Sequence, residues 1–149
     1  MKLVRFFSYS LYLDHRSIEL DTNAREGIIG IGFLPASKLI FCPTPTLEQT
    51  SDEEDTVWGM LYKVTEKKAD DLGVALGCPT LYEPSRHRIY TIYGPYNNCI
   101  SYVANQEALL TGSRKPDTSY LEIMRIAARK LKLPEPYQKF LDDTIKLGV

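Results

Sequence analysis

The run TVWGMLYKV, residues 56–64, constrains the fold of this chain more than any other stretch. It carries one charge in nine residues and is rich in β-branched and aromatic types, so it reads as the strongest strand in the sequence. Thr65 then has the residue type of a helix N-cap, and EKKADDL follows with Lys67 and Lys68 on an exposed side. Strands must therefore precede this point and a helix must leave it.

The N-terminal third supplies the other strands. KLVRFFSY, residues 2–9, reads as a buried first strand, and Asp14 is placed to cap a short helix through about Leu20. TNAREG (22–27) is a polar turn leading into the strand IIGIGF (28–33), where Gly30 and Gly32 share one face and signal a bend or a close backbone approach. KLIF (38–41) resumes extended structure. CPTPTLEQTSDEED (42–55), with two prolines and then five acids from Glu48 to Asp55, reads as a solvated loop.

Beyond the small, apolar GVALGCP (73–79), residues 80–94 read as two strand pieces interrupted by Pro84. Asn97-Asn98 reads as a hairpin turn before the strand CISYVAN. Asp117 or Thr118 opens a helix with an apolar stripe of Tyr120, Ile123, Met124, Ala127, Ala128 and Leu131, and Pro134 starts a second helix at its first position. Strands followed by two helices predict an α+β domain, and 149 residues fit one such domain over 1–149.

Charge and cysteines limit the function classes. A net charge of -1, with Lys and Arg dispersed, gives no footprint for nucleic acid or an anionic membrane. Cys42, Cys78 and Cys99 form no CxxC or Cys/His cluster, so no metal site is expected and the thiols read as reduced and mostly buried. No apolar run reaches the roughly 18 residues of a membrane span. Residues 3–13 lack a small-residue cleavage site, so no signal peptide is expected and the chain reads as cytoplasmic.

The residues that could carry chemistry are few. His15 and His87 are the only histidines, and neither belongs to a nucleophile motif. His87, between two arginines, reads as a solvated strand edge, whereas His15 follows the opening strand and could reach a pocket. With no Walker loop and no dinucleotide fingerprint, no cofactor is expected. Tyrosine is the unusual residue, at ten of 149. Tyr9, Tyr12, Tyr82, Tyr102 and Tyr120 fall at strand ends or a helix start. Each alone reads as core edge, but a set around one cavity would make a ligand site with a few placed donors.

In order, FFSYSLYL, GFLPASKLIF, DTVWGMLYKVTEKKADDL, LGCPTLYE and PDTSYLEIMRIAARKLKLPEPYQKFL resemble the γ-glutamylcyclotransferase-like proteins, the AIG2-like and butirosin cyclotransferase-like superfamily. The resemblance spans nearly the whole chain and implies a small mixed β-barrel with flanking helices and one central cavity. It also exposes departures. The family's YGSNL loop, whose backbone N–H groups hold the substrate carboxylate, corresponds here to Ser10, Leu11, Tyr12 and Leu13, without glycine's freedom at positive φ. The family's acid–base glutamate corresponds to Leu76. Leucine holds no proton, and losing such a group costs about 10²–10⁴-fold in rate.

These changes all make the cavity less polar, which predicts a divergent enzyme on this fold acting on an apolar small molecule, by cyclisation or isomerisation. The expected hydrogen-bond donors are Tyr9, Tyr12, Tyr82 and Tyr120, and the expected substrate-binding residues are Ser10, Leu11, Leu13, His15 and Leu76. Two alternatives stay open. One is a non-catalytic small-molecule-binding pseudoenzyme. The other is γ-glutamyl cyclotransfer with His15 or another group substituting for the glutamate.

Overall fold

The structure is a computed structural model and describes residues 2–148. Along the chain run β1 (Leu3–Ser8), β2 (Gly27–Pro35), β3 (Ser37–Phe41), β4 (Pro45–Gln49), β5 (Thr56–Thr65), α1 (Glu66–Leu76), β6 (Tyr82–Thr91), β7 (Gly94–Ala104), α2 (Gln106–Thr111), α3 (Thr118–Lys130) and α4 (Glu135–Gly148). Five strands close a barrel in the order β1-β5-β2-β6-β7, and β3 and β4 form a separate two-stranded sheet. The barrel is mixed, because β7 returns to β1 in parallel with Phe6 opposite Ile100. This is the α+β barrel with flanking helices that the sequence predicts. No helix among the described residues is long and apolar enough to cross a membrane.

β5 is the central strand, paired antiparallel with β1 and β2. Its alternate side chains enter two different cores, which is why its sequence is apolar almost throughout. Val57 and Leu61 pack with Phe7, Ile89 and the buried faces of α3 and α4. Met60, Tyr62 and Val64 pack with Phe6, Tyr102 and α1 residues Ala69 and Leu72. Thr65 caps α1, its Oγ1 accepting from Lys68 N–H at 3.1 Å, and Gly77 at φ 122° ends it. Gly30, at φ 146°, sits at the expected bend, where the β2–β5 register shifts.

Several sequence expectations are corrected. The polar run 42–55 contains β4, because Pro45 and Thr46 are covered by distant residues: Tyr82 Oη donates to Pro45 O at 2.6 Å, and Ala104 N–H donates to Thr46 Oγ1 at 2.8 Å. β6 is one strand through Pro84. It meets β2 only near Tyr90 and Thr91, so at Pro84 one side lacks a neighbour and a missing N–H is tolerated. The β6–β7 hairpin turns between Thr91 and Gly94, whereas Asn97-Asn98 lie inside β7 beside a register shift, with Asn98 left-handed at φ 58°. His87 is half-buried rather than solvated, and its Nε2 is buried without a partner. After Asp14 there is a single 3-10 turn, His15–Ser17. On α3, Leu121 takes the buried place expected for Ile123, which is 44% exposed. Pro134 stands just outside α4, its carbonyl accepting the first helical hydrogen bonds from Tyr137 and Gln138.

Glu26 is a structural residue hidden in the polar turn. Its side chain is 1% exposed and accepts from Asp21 N–H and Thr65 N–H, each at 2.8 Å, and from Lys68 Nζ at 3.2 Å. Burial alone would raise its pKa, but those donors outweigh it and the carboxyl titrates below its ordinary 4.5. A carboxyl with a depressed folded-state pKa stabilises the fold fully above its unfolded pKa, and loses that contribution as pH falls through the folded value. Stability from urea unfolding is therefore expected to decline below about pH 4.3. Glu26→Gln should cost about 1–3 kcal/mol at neutral pH and flatten this acid limb. An acid limb unchanged in the variant would show that Glu26 does not carry it.

Candidate functional site

Where β1 ends beside β7, a small enclosed cavity separates the strand ends from the helices. Phe7, Ser8, Tyr9 and Ser10 wall it from the β1 side. Ser101 and Tyr102 come from β7 and Pro45 from β4. Leu76 closes it from the last residue of α1, Tyr82 from the start of β6 and Tyr120 from the first turn of α3. Its volume is about 10 Å³, room for about one water.

Hydrogen bonds fix most of this wall. Tyr9 Oη donates to Tyr102 O at 2.6 Å, Tyr102 Oη to Ala69 O at 2.5 Å, and Tyr82 Oη to Pro45 O at 2.6 Å with Thr44 Oγ1 at 2.7 Å. Ser101 Oγ donates to Phe7 O at 3.0 Å, tying β7 to β1. Ser8 Oγ, by contrast, is buried in the cavity wall with no partner. Among the described residues the backbone N–H groups of Tyr9 and Ser10 also have no hydrogen-bond partner, although both residues are buried. Buried donors of this kind call for a ligand or a water.

No carboxylate, imidazole, ammonium, guanidinium or thiol is among the lining residues. Burial holds the Tyr9 and Tyr82 phenols well above their ordinary range and pushes Tyr102 up to about 12. Burial and the nearby Asp117 raise Tyr120. Every phenol of the cavity therefore stays protonated at neutral pH and can donate a hydrogen bond but not take a proton.

Of the residues singled out from the sequence, Tyr9, Ser10, Leu76, Tyr82, Tyr102 and Tyr120 meet at this cavity. The others lie in or after the turn that leaves β1. Tyr12 is half-buried with its ring edge against Phe6, and its carbonyl accepts from Tyr62 Oη at 2.6 Å. Leu11 O accepts from Ser17 Oγ at 3.2 Å. Leu13 is fully buried in the core with α3 and α4, and burying a leucine stabilises by about 1.5–3 kcal/mol. His15 is exposed beside Asp14, outside the cavity lining. None of the turn residues has positive φ, so the missing glycine leaves no strain. Ser8 and Ser101 were not anticipated. A serine inside the apolar run FFSYS was the one available signal for Ser8.

Comparison with solved structures gives the same fold. An uncharacterized protein from Homo sapiens superposes with a TM-score of 0.76 at 21% identity, over 95% of this chain and 88% of that one. A γ-glutamyl cyclotransferase gives 0.74 at 20% identity, over 95% and 87%. A glutathione-specific γ-glutamyl cyclotransferase from yeast gives 0.64 at 10% identity, over 98% and 96%. No match to a curated protein was found. The AIG2-like family model matches residues 56–141, more than half of the sequence, from the start of β5 into α4. By that match, the chain belongs to the AIG2-like family.

Proposed function

We propose that this chain is a divergent γ-glutamylcyclotransferase-like enzyme that acts on an apolar small molecule, cyclising or isomerising it, and that it does not carry out γ-glutamyl cyclotransfer. The observation that supports this reading is the cavity wall: phenylalanine, leucine, proline, serine and tyrosine, with no group able to shuttle a proton near neutral pH. Ser8 Oγ and the N–H groups of Tyr9 and Ser10 are the free donors, so the ligand is an otherwise apolar molecule with one carbonyl or similar acceptor. Preorganised donors on a carbonyl stabilise developing negative charge, each worth about 10²–10³-fold where the fit is good. Enclosure of a flexible substrate supplies the rest.

Admission of a ligand requires a wall to move, since about 10 Å³ holds only water. Tyr120 and Leu76 are the half-buried wall residues, and among the described residues the Tyr120 hydroxyl has no hydrogen bond, unlike those of Tyr9, Tyr82 and Tyr102. The Tyr120 ring is the door in this reading. The same engaged hydroxyls favour a second reading, binding without turnover, because a phenol committed to a backbone carbonyl is not free for chemistry.

The test combines two assays. Wild-type protein is expected to release no 5-oxoproline from glutathione, γ-glutamyl amino acids or γ-glutamylamines. Release abolished by His15→Ala or Tyr9→Phe would overturn the proposal. Thermal-shift screening of apolar carbonyl compounds is expected to find stabilising ligands whose effect falls in Ser8→Ala. That substitution removes an unsatisfied buried hydroxyl and should leave folding stability unchanged or higher. Mass spectrometry of each stabilising compound after incubation separates turnover from binding.

A further inference from the structure

A second cleft, sharing no residue with the cavity at Leu76, opens between the segment entering β5 and the N-terminal turns of α4. Its volume is about 430 Å³, within the size range of small-molecule sites. Three aromatic side chains line it, Trp58, Tyr137 and Phe140, together with the carboxylates of Glu54 and Asp55 and the ammonium of Lys38. We propose that this cleft binds a small quaternary ammonium cation of the choline type.

Two independent features select that chemistry. Aromatic faces attract a cation placed within about 6 Å, tryptophan most strongly, and a methylated ammonium also gains from apolar contact. The aromatic surface is held in place: Trp58 packs on Phe33 with ring centroids 4.9 Å apart, and Tyr137 lies 6.2 Å from Phe140. Charge is the second feature. Among the described residues neither Glu54 nor Asp55 is engaged in an ion pair, and the preceding Asp52 and Glu53 are exposed. Two lining carboxylates face one lining ammonium, Lys38, so the cleft keeps a negative excess. An anionic ligand would meet the carboxylates.

Trp58 is the only tryptophan in the chain, so intrinsic fluorescence reports this cleft directly. The full-length protein is titrated with choline and with 3,3-dimethyl-1-butanol, its uncharged isostere, by fluorescence and calorimetry in parallel. Choline is expected to bind saturably and at least about tenfold more tightly than the isostere. Glu54→Gln/Asp55→Asn and Phe140→Ala should each weaken choline several-fold without changing the far-ultraviolet spectrum. Equal binding of choline and the isostere would reduce the cleft to an apolar groove and overturn the proposal. So would the absence of saturable binding by either method up to about 10 mM choline. Neither outcome bears on the cavity at Leu76.

Discussion

Gly59→Ala is expected to destabilise the barrel by about 3 kcal/mol or more, enough to leave a marginal domain partly unfolded. Gly59 sits in β5 opposite Gly32 of β2. A Cβ there would lie 2.4 Å from Ser8 O and 2.7 Å from two atoms of the Phe7 ring. Neither neighbour can retreat. Ser8 and Phe7 are locked in register with Met60 and Leu61, and Phe7 is completely buried. Relief would have to come from separating β1 from β5 at the strand end that forms the cavity, so Ser8 and Tyr9 would move with it. Urea unfolding gives the comparison, with Gly27→Ala as control, because nothing lies within 4 Å of a Cβ at Gly27. The control should be neutral or slightly stabilising, by up to about 1 kcal/mol. An unfolding midpoint for Gly59→Ala equal to that of Gly27→Ala would mean that the strands are not packed as described.

That glycine also shows why part of the fold was readable from the chain. The run TVWGMLYKV around it announces a strand and Thr65 announces its end, because both signals are carried by adjacent residues. β4 was not readable. Pro45 and the acids after it look solvated, and what buries Pro45 and Thr46 is Tyr82, 37 residues from Pro45, and Ala104, 58 residues from Thr46. Glu26 was missed for the same reason, since its main partner Thr65 is 39 residues away. The cavity divides along this line. Leu76, Tyr82 and Tyr120 stand at element ends, where tyrosine and a broken family pattern draw notice. Ser101 is an interior strand residue by every local criterion. It reaches the cavity only because the barrel closes, its Oγ meeting a carbonyl 94 residues away.

Leu76→Glu is expected to release 5-oxoproline from γ-glutamyl substrates at about 10² times the assay background or more, whereas wild type should not rise above that background. The family resemblance assigns the acid–base glutamate to this position, and the side chain of Leu76 reaches the cavity from the last turn of α1. A carboxyl there would meet mostly apolar walls, and burial raises a carboxyl pKa toward neutrality, the range in which an acid–base group works best. The raised pKa also sets the cost: the variant should lose stability relative to wild type as pH climbs above about 4.3, the ordinary glutamate value. That is the reverse of the behaviour assigned to Glu26. Leu76→Gln, of the same shape but without a titratable proton, should give no release. Because the cavity holds little more than a water, Leu76→Glu/Tyr120→Ala supplies room as well as the proton carrier and should release more 5-oxoproline than the single variant. If the folded double variant matches Leu76→Gln, then the missing carboxylate is not what separates this chain from γ-glutamyl chemistry, and the rewritten turn at Ser10-Leu11-Tyr12-Leu13 must exclude the substrate by itself.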